Sequence, residues 1–153
     1  MSEVDRIKDQ FVRTSIGQAW HGPAVLESLE GVSLKQALAR PIISAHTIAE
    51  LALHIKAWVN ITTIRLEGKA FNASAEDDWP EVNIASEEEW TKEIESLKES
   101  VNRLAASISS FQESRLDGLA AGQNYSNYFM LHGLIQHNVY HAGQISLLKK
   151  ALG

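Results

Sequence analysis

The chain has 153 residues and a formal net charge of −5, and 44% of its residues are hydrophobic, which is typical of one globular domain over residues 1–153. It contains no cysteine, which excludes disulfides, thiolate metal sites and a cysteine nucleophile, so any metal must be bound by imidazole or oxygen ligands. The sequence shows no basic cluster, no apolar run of roughly 20 residues and no secretory signal, so we expect a cytoplasmic protein that binds neither nucleic acid nor membranes.

The N-terminal third of the chain is predicted to be helical but interrupted. The first predicted helix rests on apolar residues at helical spacing, namely Val4, Ile7, Phe11 and Ile16. The segment Trp20-His21-Gly22-Pro23 breaks this pattern, and Pro23 is suited to start a new turn. A further short turn is expected over residues 33–39.

The second predicted helix begins near Thr47, a good N-cap, and ends at Gly68. One of its faces carries five apolar or aromatic side chains: Leu51, His54, Ile55, Trp58 and Ile61. His54 and Trp58 are therefore expected one turn apart on the inward face.

The connection over residues 69–85 is long, and it contains the motif Asp77-Asp78-Trp79-Pro80. Loops of this length without secondary structure are uncommon and often functional. Two interpretations follow: a surface crossover between helices, or a lid over a site.

The third predicted helix shows the clearest apolar stripe, comprising Trp90, Ile94, Leu97, Val101, Leu104, Ile108 and Phe111. Ser86 and Glu89 have the spacing of a capping box at its start. The fourth predicted helix runs from about Ser126 to Leu152, and one face carries Met130, Leu134, His137, His141, Gln144 and Leu148. Four long amphipathic helices predict an all-α protein built as one four-helix bundle.

Three of the six histidines are predicted to face inward. His137 and His141 are four residues apart, so both imidazoles can reach one ion. His54 can meet them across the bundle core, where metal sites of helical bundles are built. His132 lies roughly 140° around the helix from His137 and is predicted to face elsewhere. The alternative is a metal-free bundle in which the inward histidines are packing residues.

The surroundings of such a site are predicted from four further residues. Trp20, His21, Trp58 and Trp79 are hypothesised to surround the mouth of a metal pocket, with the alternative that Trp20 and Trp79 pack on the outside. His21 is the first candidate for a catalytic proton carrier; weaker candidates are Glu50 and the Asp77–Asp78 pair. Gln144 could orient a ligand histidine or a bound water, and His46 could cap the second helix or face solvent.

The C-terminal run His137-Asn138-Val139-Tyr140-His141-Ala142-Gly143-Gln144-Ile145 resembles the His-x-x-x-His-x-Gly-Gln signature of the DinB/YfiT-like superfamily. Residues 45–58 resemble the family's second helix, and residues 20–23 and 78–80 resemble segments of one of its branches. This resemblance implies an up-down-down-up four-helix bundle. It also implies one divalent ion, nickel or zinc, held by residues matching His54, His137 and His141, and a homodimer.

Three neutral histidines would leave an ion its full charge and an open position, which is typical of a catalytic site. Such an ion could lower the pKa of a bound water or of an incoming thiol. The resemblance implies hydrolases or enzymes that use low-molecular-weight thiols. We therefore expect a metal-dependent hydrolase or thiol-S-transferase acting on a small molecule, with any thiol supplied by the substrate. The alternative is a non-catalytic metal- or ligand-binding bundle.

Overall fold

A computed structural model describes all 153 residues, and it contains α-helices and no β-strand. The helices are α1 (Glu3–Ser15), α2 (Val25–Leu29), α3 (Leu34–Leu38), α4 (Ile48–Leu66), α5 (Ala75–Asp78), α6 (Glu87–Ser109) and α7 (Asn127–Leu152), with one 3₁₀ turn at Glu113–Arg115. The all-α prediction is confirmed, and the four long helices α1, α4, α6 and α7 lie where the apolar spacing placed them. None of these helices combines the length and the apolar character that crossing a membrane requires.

The four long helices share one core. Helices α1 and α4 each pack against both α6 and α7. The short helix α2 packs against α1, α6 and α7, and α3 packs against α4. Trp90 of α6 is fully buried, and its indole N–H donates to the carbonyl of Val32 at 2.8 Å. The interrupted N-terminal segment is thereby attached to the long helices by a buried hydrogen bond.

The start of α4 is fixed by a complete capping box. The hydroxyl of Thr47 accepts from the N–H of Glu50 at 3.1 Å, and the Glu50 carboxylate accepts from the N–H of Thr47 at 2.7 Å. These two bonds satisfy backbone donors that have no partner within the helix, and they set its first residue. His54 consequently lies two turns into α4, on a buried face.

The capping box predicted at the start of α6 is only half formed. Ser86 accepts from the N–H of Glu89 at 3.2 Å, as expected. The Glu89 carboxylate instead accepts from the N–H of Ala85 at 2.6 Å, one residue earlier than a capping box requires. The extended backbone at Ser86 (φ −143°) accompanies this difference.

The sequence suggested that the long connection lacks secondary structure. The structure differs, because the connection contains α5. Ser74 caps this short helix, accepting from the N–H of Asp77 at 3.1 Å. Helix α5 packs against α4, and the side chain of Trp79, which follows it, packs partly buried against the core. The crossover, residues 67–86, therefore lies against α4 along its central part.

Gly122 lies in the loop between α6 and α7, at the point where this loop closely approaches the crossover. Its φ is +72°, and a Cβ added there would lie 2.8 Å from Cβ of Ala70. Gly133, within α7, differs in both respects, because it is helical and a Cβ added there would have no neighbour within 4 Å.

We predict that Gly122→Ala destabilises the protein by roughly 1–3 kcal/mol, since the substitution combines a left-handed backbone with a steric clash. Gly133→Ala is the matched control, and we expect it to be neutral or to stabilise by up to about 1 kcal/mol through helix propensity. Urea unfolding at pH 7 measures both. Equal effects of the two substitutions would contradict the close approach at Gly122.

Candidate metal centre

The three inward histidines meet between two adjacent helices. His54 comes from α4, and His137 and His141 come one turn apart from α7. One ring nitrogen from each lies within 4.8 Å of the others, and the Nε2 atoms of His54 and His137 are 2.9 Å apart. The predicted clustering of these three residues is confirmed.

The protonation state of His54 follows from its partner. Its Nδ1 lies 2.5 Å from the backbone carbonyl oxygen of Asp78, which can only accept a hydrogen bond. The Nδ1 therefore carries the proton and donates. The neutral ring then has a free lone pair on Nε2, which points into the cluster.

The two histidines of α7 are held in the same way. The Nδ1 of His141 lies 2.6 Å from the side-chain oxygen of Gln144, and that of His137 lies 3.4 Å from the side-chain oxygen of Asn138. Both oxygens favour a proton on Nδ1, although the contact of His137 is long. A proton on Nδ1 of each ring would leave its Nε2 free to bind an ion, and the short contacts of His54 and His141 favour that tautomer most strongly.

This donor set fits a divalent ion. With the proton on Nδ1 of both His54 and His137, their Nε2 atoms at 2.9 Å repel each other, because neither can donate a hydrogen bond to the other. A shared cation removes that repulsion, and two nitrogens bound at ~2.0–2.1 Å to one zinc ion are roughly 2.9–3.4 Å apart, depending on the bond angle. Imidazole nitrogen suits both zinc and nickel.

Burial keeps the three imidazoles neutral. It is the largest cause of a lowered pKa at His54, His137 and His141. The pKa of His137 falls to about 4, because burial disfavours its charged form and charge on the His141 and His54 rings adds to that cost. The hydrogen bond to Asp78 partly opposes the lowering of the His54 pKa. Near neutral pH all three rings are in the form that binds metal.

The crossover covers His54. The indole of Trp79 lies between two imidazoles, with ring centroids 3.8 Å from His54 and 3.6 Å from His46, both nearly parallel. The Asp78 carboxylate accepts from the indole N–H of Trp58 at 2.7 Å and lies 3.3 Å from Nδ1 of His54. Asp78 therefore supports His54 with both its backbone and its side chain.

Sequence reasoning missed two of these contacts. His46 was expected to cap α4 or to face solvent, and it is exposed, but its ring also stacks on Trp79 and its Nδ1 lies 3.3 Å from Glu50. Asp78 was only a weaker candidate base, and the structure places it directly behind His54. The motif Asp78-Trp79-Pro80 within an unusually long connection was the available signal.

The residues proposed for the pocket mouth separate into two groups. Trp58 and Trp79 approach the cluster, and the Trp58 ring centroid lies 6.3 Å from that of His137. Trp20 is fully exposed, and neither it nor His21 has a ring contact or side-chain hydrogen bond to the three histidines. The helix break leaves both side chains in solvent, so the catalytic role of His21 stays a prediction without a supporting contact.

The remaining candidates have other partners. Glu50 is bonded to Arg40 at 2.7 Å as well as to the start of α4. Asp77 accepts from the N–H of Ser74 at 2.9 Å. His132 lies outside the cluster and packs against Tyr128, with ring centroids 4.2 Å apart.

Together these features define an all-helical protein with a three-histidine centre of the kind that suits a divalent ion. The chain matches the family model of the DinB superfamily over residues 18–145, and it belongs to that superfamily. The matched range includes all three histidines and the crossover. No curated protein and no solved structure matches the chain.

We predict that the metal-free protein loses stability in acid partly through His137. Its pKa is about 4 in the folded protein, against an ordinary value of 6.5. As pH falls below 6.5, the unfolded chain takes up a proton that the folded protein does not, so the free energy of unfolding decreases until about pH 4. The loss is at most about 3 kcal/mol, since solvent reaches part of the ring.

Urea unfolding of chelator-treated protein between pH 7 and 4 tests this. His137→Gln should show a flatter pH dependence than the wild type, whereas His132→Gln should follow the wild type. Acid effects of the carboxylates are common to all three proteins. Parallel curves for the wild type and His137→Gln would refute the assignment.

Proposed function

We propose that the protein binds one divalent ion, zinc or nickel, through His54, His137 and His141, and that it is a metal-dependent enzyme acting on a small molecule. The observation that carries this proposal is the convergence of one ring nitrogen from each of three histidines within 4.8 Å, with the Nε2 atoms of His54 and His137 2.9 Å apart. Membership of the DinB superfamily supports it.

The donor set favours a catalytic ion over a purely structural one. Structural zinc sites are usually closed by four protein ligands, whereas catalytic sites use three and keep a position for water or substrate. No fourth histidine or carboxylate joins the cluster. The Asp78 carboxylate lies at Nδ1 of His54, on the opposite side of the ring from the Nε2 lone pair, so it supports a ligand.

A bound ion would supply Lewis acidity, which lowers the pKa of a coordinated water or thiol. The chain's own residues would fix the three rings in place. Asp78 and Gln144 accept from Nδ1 of His54 and His141, which fixes the tautomers and increases the basicity of the ligand nitrogens. Trp79 covers one face of His54 and keeps water from it.

Two reactions are compatible with this arrangement: hydrolysis and thiol-S-transfer. Because the chain has no cysteine, the nucleophilic sulfur of a thiol transfer would come from a substrate. The same centre in a protein that only binds metal or ligand would load an ion without turning over either kind of substrate. Metal content and turnover, measured on the same protein, separate these outcomes.

We predict that replacing any one of His54, His137 or His141 by Ala reduces the metal content of the purified protein at least about tenfold, because each supplies one of only three ligands. His132→Ala is the matched control on α7 and should retain the wild-type content. Elemental analysis of protein purified without a histidine tag measures this. Full stoichiometry in His137→Ala would rule out the centre.

Activity is then measured on the same proteins, with ester substrates for hydrolysis and with a low-molecular-weight thiol plus an electrophile for thiol transfer. An enzyme should lose turnover in the three ligand variants and keep it in His132→Ala. Full metal loading with no turnover in either assay would support the non-catalytic alternative.

We also propose that the protein forms a homodimer. Helix α7 exposes three large apolar side chains on one face: Phe129, Tyr140 and Leu147, each more than 60% exposed. Their spacing of eleven and seven residues returns to the same side of a helix. Such a stripe is a reasonable contact face for a second copy.

We predict a dimer in sedimentation velocity at micromolar concentration. Leu147→Glu should shift the protein towards monomer, since it places a charge within the proposed apolar contact. Asn102→Glu, at an exposed position of α6, is the control and should not shift it. A wild-type protein that sediments only as a monomer would contradict the proposed dimer.

A further inference from the structure

Arg65, near the end of α4, is a buried cation without an acidic partner. Its relative exposure to solvent is 4%. It donates from Nε and Nη2 to the carbonyl of Phe71, at 3.1 and 2.8 Å, and from Nη1 to the hydroxyl of Tyr125 at 2.8 Å. No carboxylate lies within 4.0 Å, the limit for an ion pair. A buried charge is costly unless it is paired.

The hydrogen bonds of Arg65 do not account for its charge. A neutral N–H donor would satisfy the carbonyl oxygen of Phe71 as well, so this hydrogen bond does not require a charged side chain. A guanidinium has five N–H groups, and three of them are used, so two have no acceptor in the protein. Asp78 lines a neighbouring cavity with Arg65, but its carboxylate bonds to Trp58 and lies against His54.

Arg65 and His137, one member of the histidine cluster, line the same cavity. This cavity, between α4 and α7, has a volume of about 240 Å³, and Arg65, Tyr125 and His137 all line it. Its walls are otherwise mainly apolar, with Trp58, Phe129 and Leu134 among them. Trp58 lies between its two polar ends, with its ring 5.7 Å from Cζ of Arg65 and 6.3 Å from the ring of His137.

We propose that this cavity binds a small carboxylate-bearing substrate, with the carboxylate on Arg65 and Tyr125 and the reactive end towards His137. The inference rests on the proposed function for the chemistry at the ion, and it adds the substrate class. Arginine binds carboxylates through paired N–H groups, and the Tyr125 hydroxyl, which accepts from Arg65, can still donate its own hydrogen. The apolar body of the substrate would pack against Trp58 and Phe129.

The size and charge of the cavity narrow this class. Pockets for drug-sized ligands have volumes of roughly 300–1,000 Å³, so this cavity suits a smaller molecule. Arg65 is its only lining arginine or lysine. A single guanidinium with one hydroxyl matches a monocarboxylate better than a group carrying two or more negative charges.

The test compares two probes of similar shape, 3-phenylpropionate and 3-phenylpropanol, by calorimetric titration and by tryptophan fluorescence of the full-length protein. In the wild type we expect the acid to bind at least about tenfold more tightly than the alcohol, as a charge-assisted hydrogen bond implies. Equal affinities, or no binding of the acid at millimolar concentration, would overturn the proposal.

Removing metal with a chelator separates this proposal from the proposed function. A carboxylate held by Arg65 keeps its preference over the alcohol in the metal-free protein, whereas a carboxylate bound to the ion loses it. Loss of the preference on chelation would therefore overturn the role of Arg65 while leaving the metal centre intact. If instead the proposed metal centre is wrong, the metal content of His137→Ala will equal that of the wild type, which is a separate measurement.

Substitutions of Arg65 and Tyr125 test whether these two residues contact the carboxylate of the probe. Arg65→Met should weaken the acid at least about tenfold and the alcohol less than about twofold, and Arg65→Lys should retain part of the preference. Tyr125→Phe should weaken the acid a few-fold, and it decides the matter if Arg65→Met does not fold. Arg103→Met, at an exposed position of α6, is the control. An equal loss in Arg103→Met, or no loss in the folded Arg65 and Tyr125 variants, would overturn the assignment.

Discussion

The hydrogen bond from His54 to the backbone of Asp78 connects the histidine cluster to the crossover that covers it. It places the proton on Nδ1 and leaves the Nε2 lone pair directed at His137. If His54 carried its proton on Nε2, it would donate to His137 at 2.9 Å, and the pair could not share an ion. The proposed metal-binding geometry therefore depends on a carbonyl group in the crossover as much as on the three histidines themselves.

Helix α4 contributes to both ends of the proposed site along one face. His54, Trp58, Thr62 and Arg65 follow each other at intervals of four, four and three residues, which keeps them on one side of a helix. His54 belongs to the histidine cluster, and the other three line the cavity. A buried cation at one end and neutral lone pairs at the other make a cavity that is electrostatically asymmetric. Such a cavity would orient an elongated, charged ligand in one direction.

The sequence predicted what depends on helical periodicity. The spacing of His137 and His141, and the apolar neighbours of His54, were enough to bring three imidazoles together, because side-chain direction on a helix follows from residue number. It could not predict how the crossover folds over α4, since that path depends on tertiary contacts such as those of Arg65 with Phe71. The positions of Trp20 and His46 also depend on tertiary contacts that periodicity does not predict. Trp20 was expected near the pocket and is exposed, and His46 was not assigned to the aromatic stack. Arg65 itself lacks any sequence signal, since an arginine near a helix end is ordinarily a solvent-exposed partner of the helix dipole.

The crossover is attached to α4 at two points, the carbonyl of Phe71 on Arg65 and the carbonyl of Asp78 on His54. The interval between them holds one short helix, α5, so both of its ends are fixed to the same helix. Surface loops usually tolerate insertions at little thermodynamic cost. Here an added or deleted residue between 72 and 77 would move Asp78 and Trp79 out of register with His54. We therefore expect variation in the length of this connection to be tolerated after Pro80, in the stretch leading to α6, and not between the two attachment points.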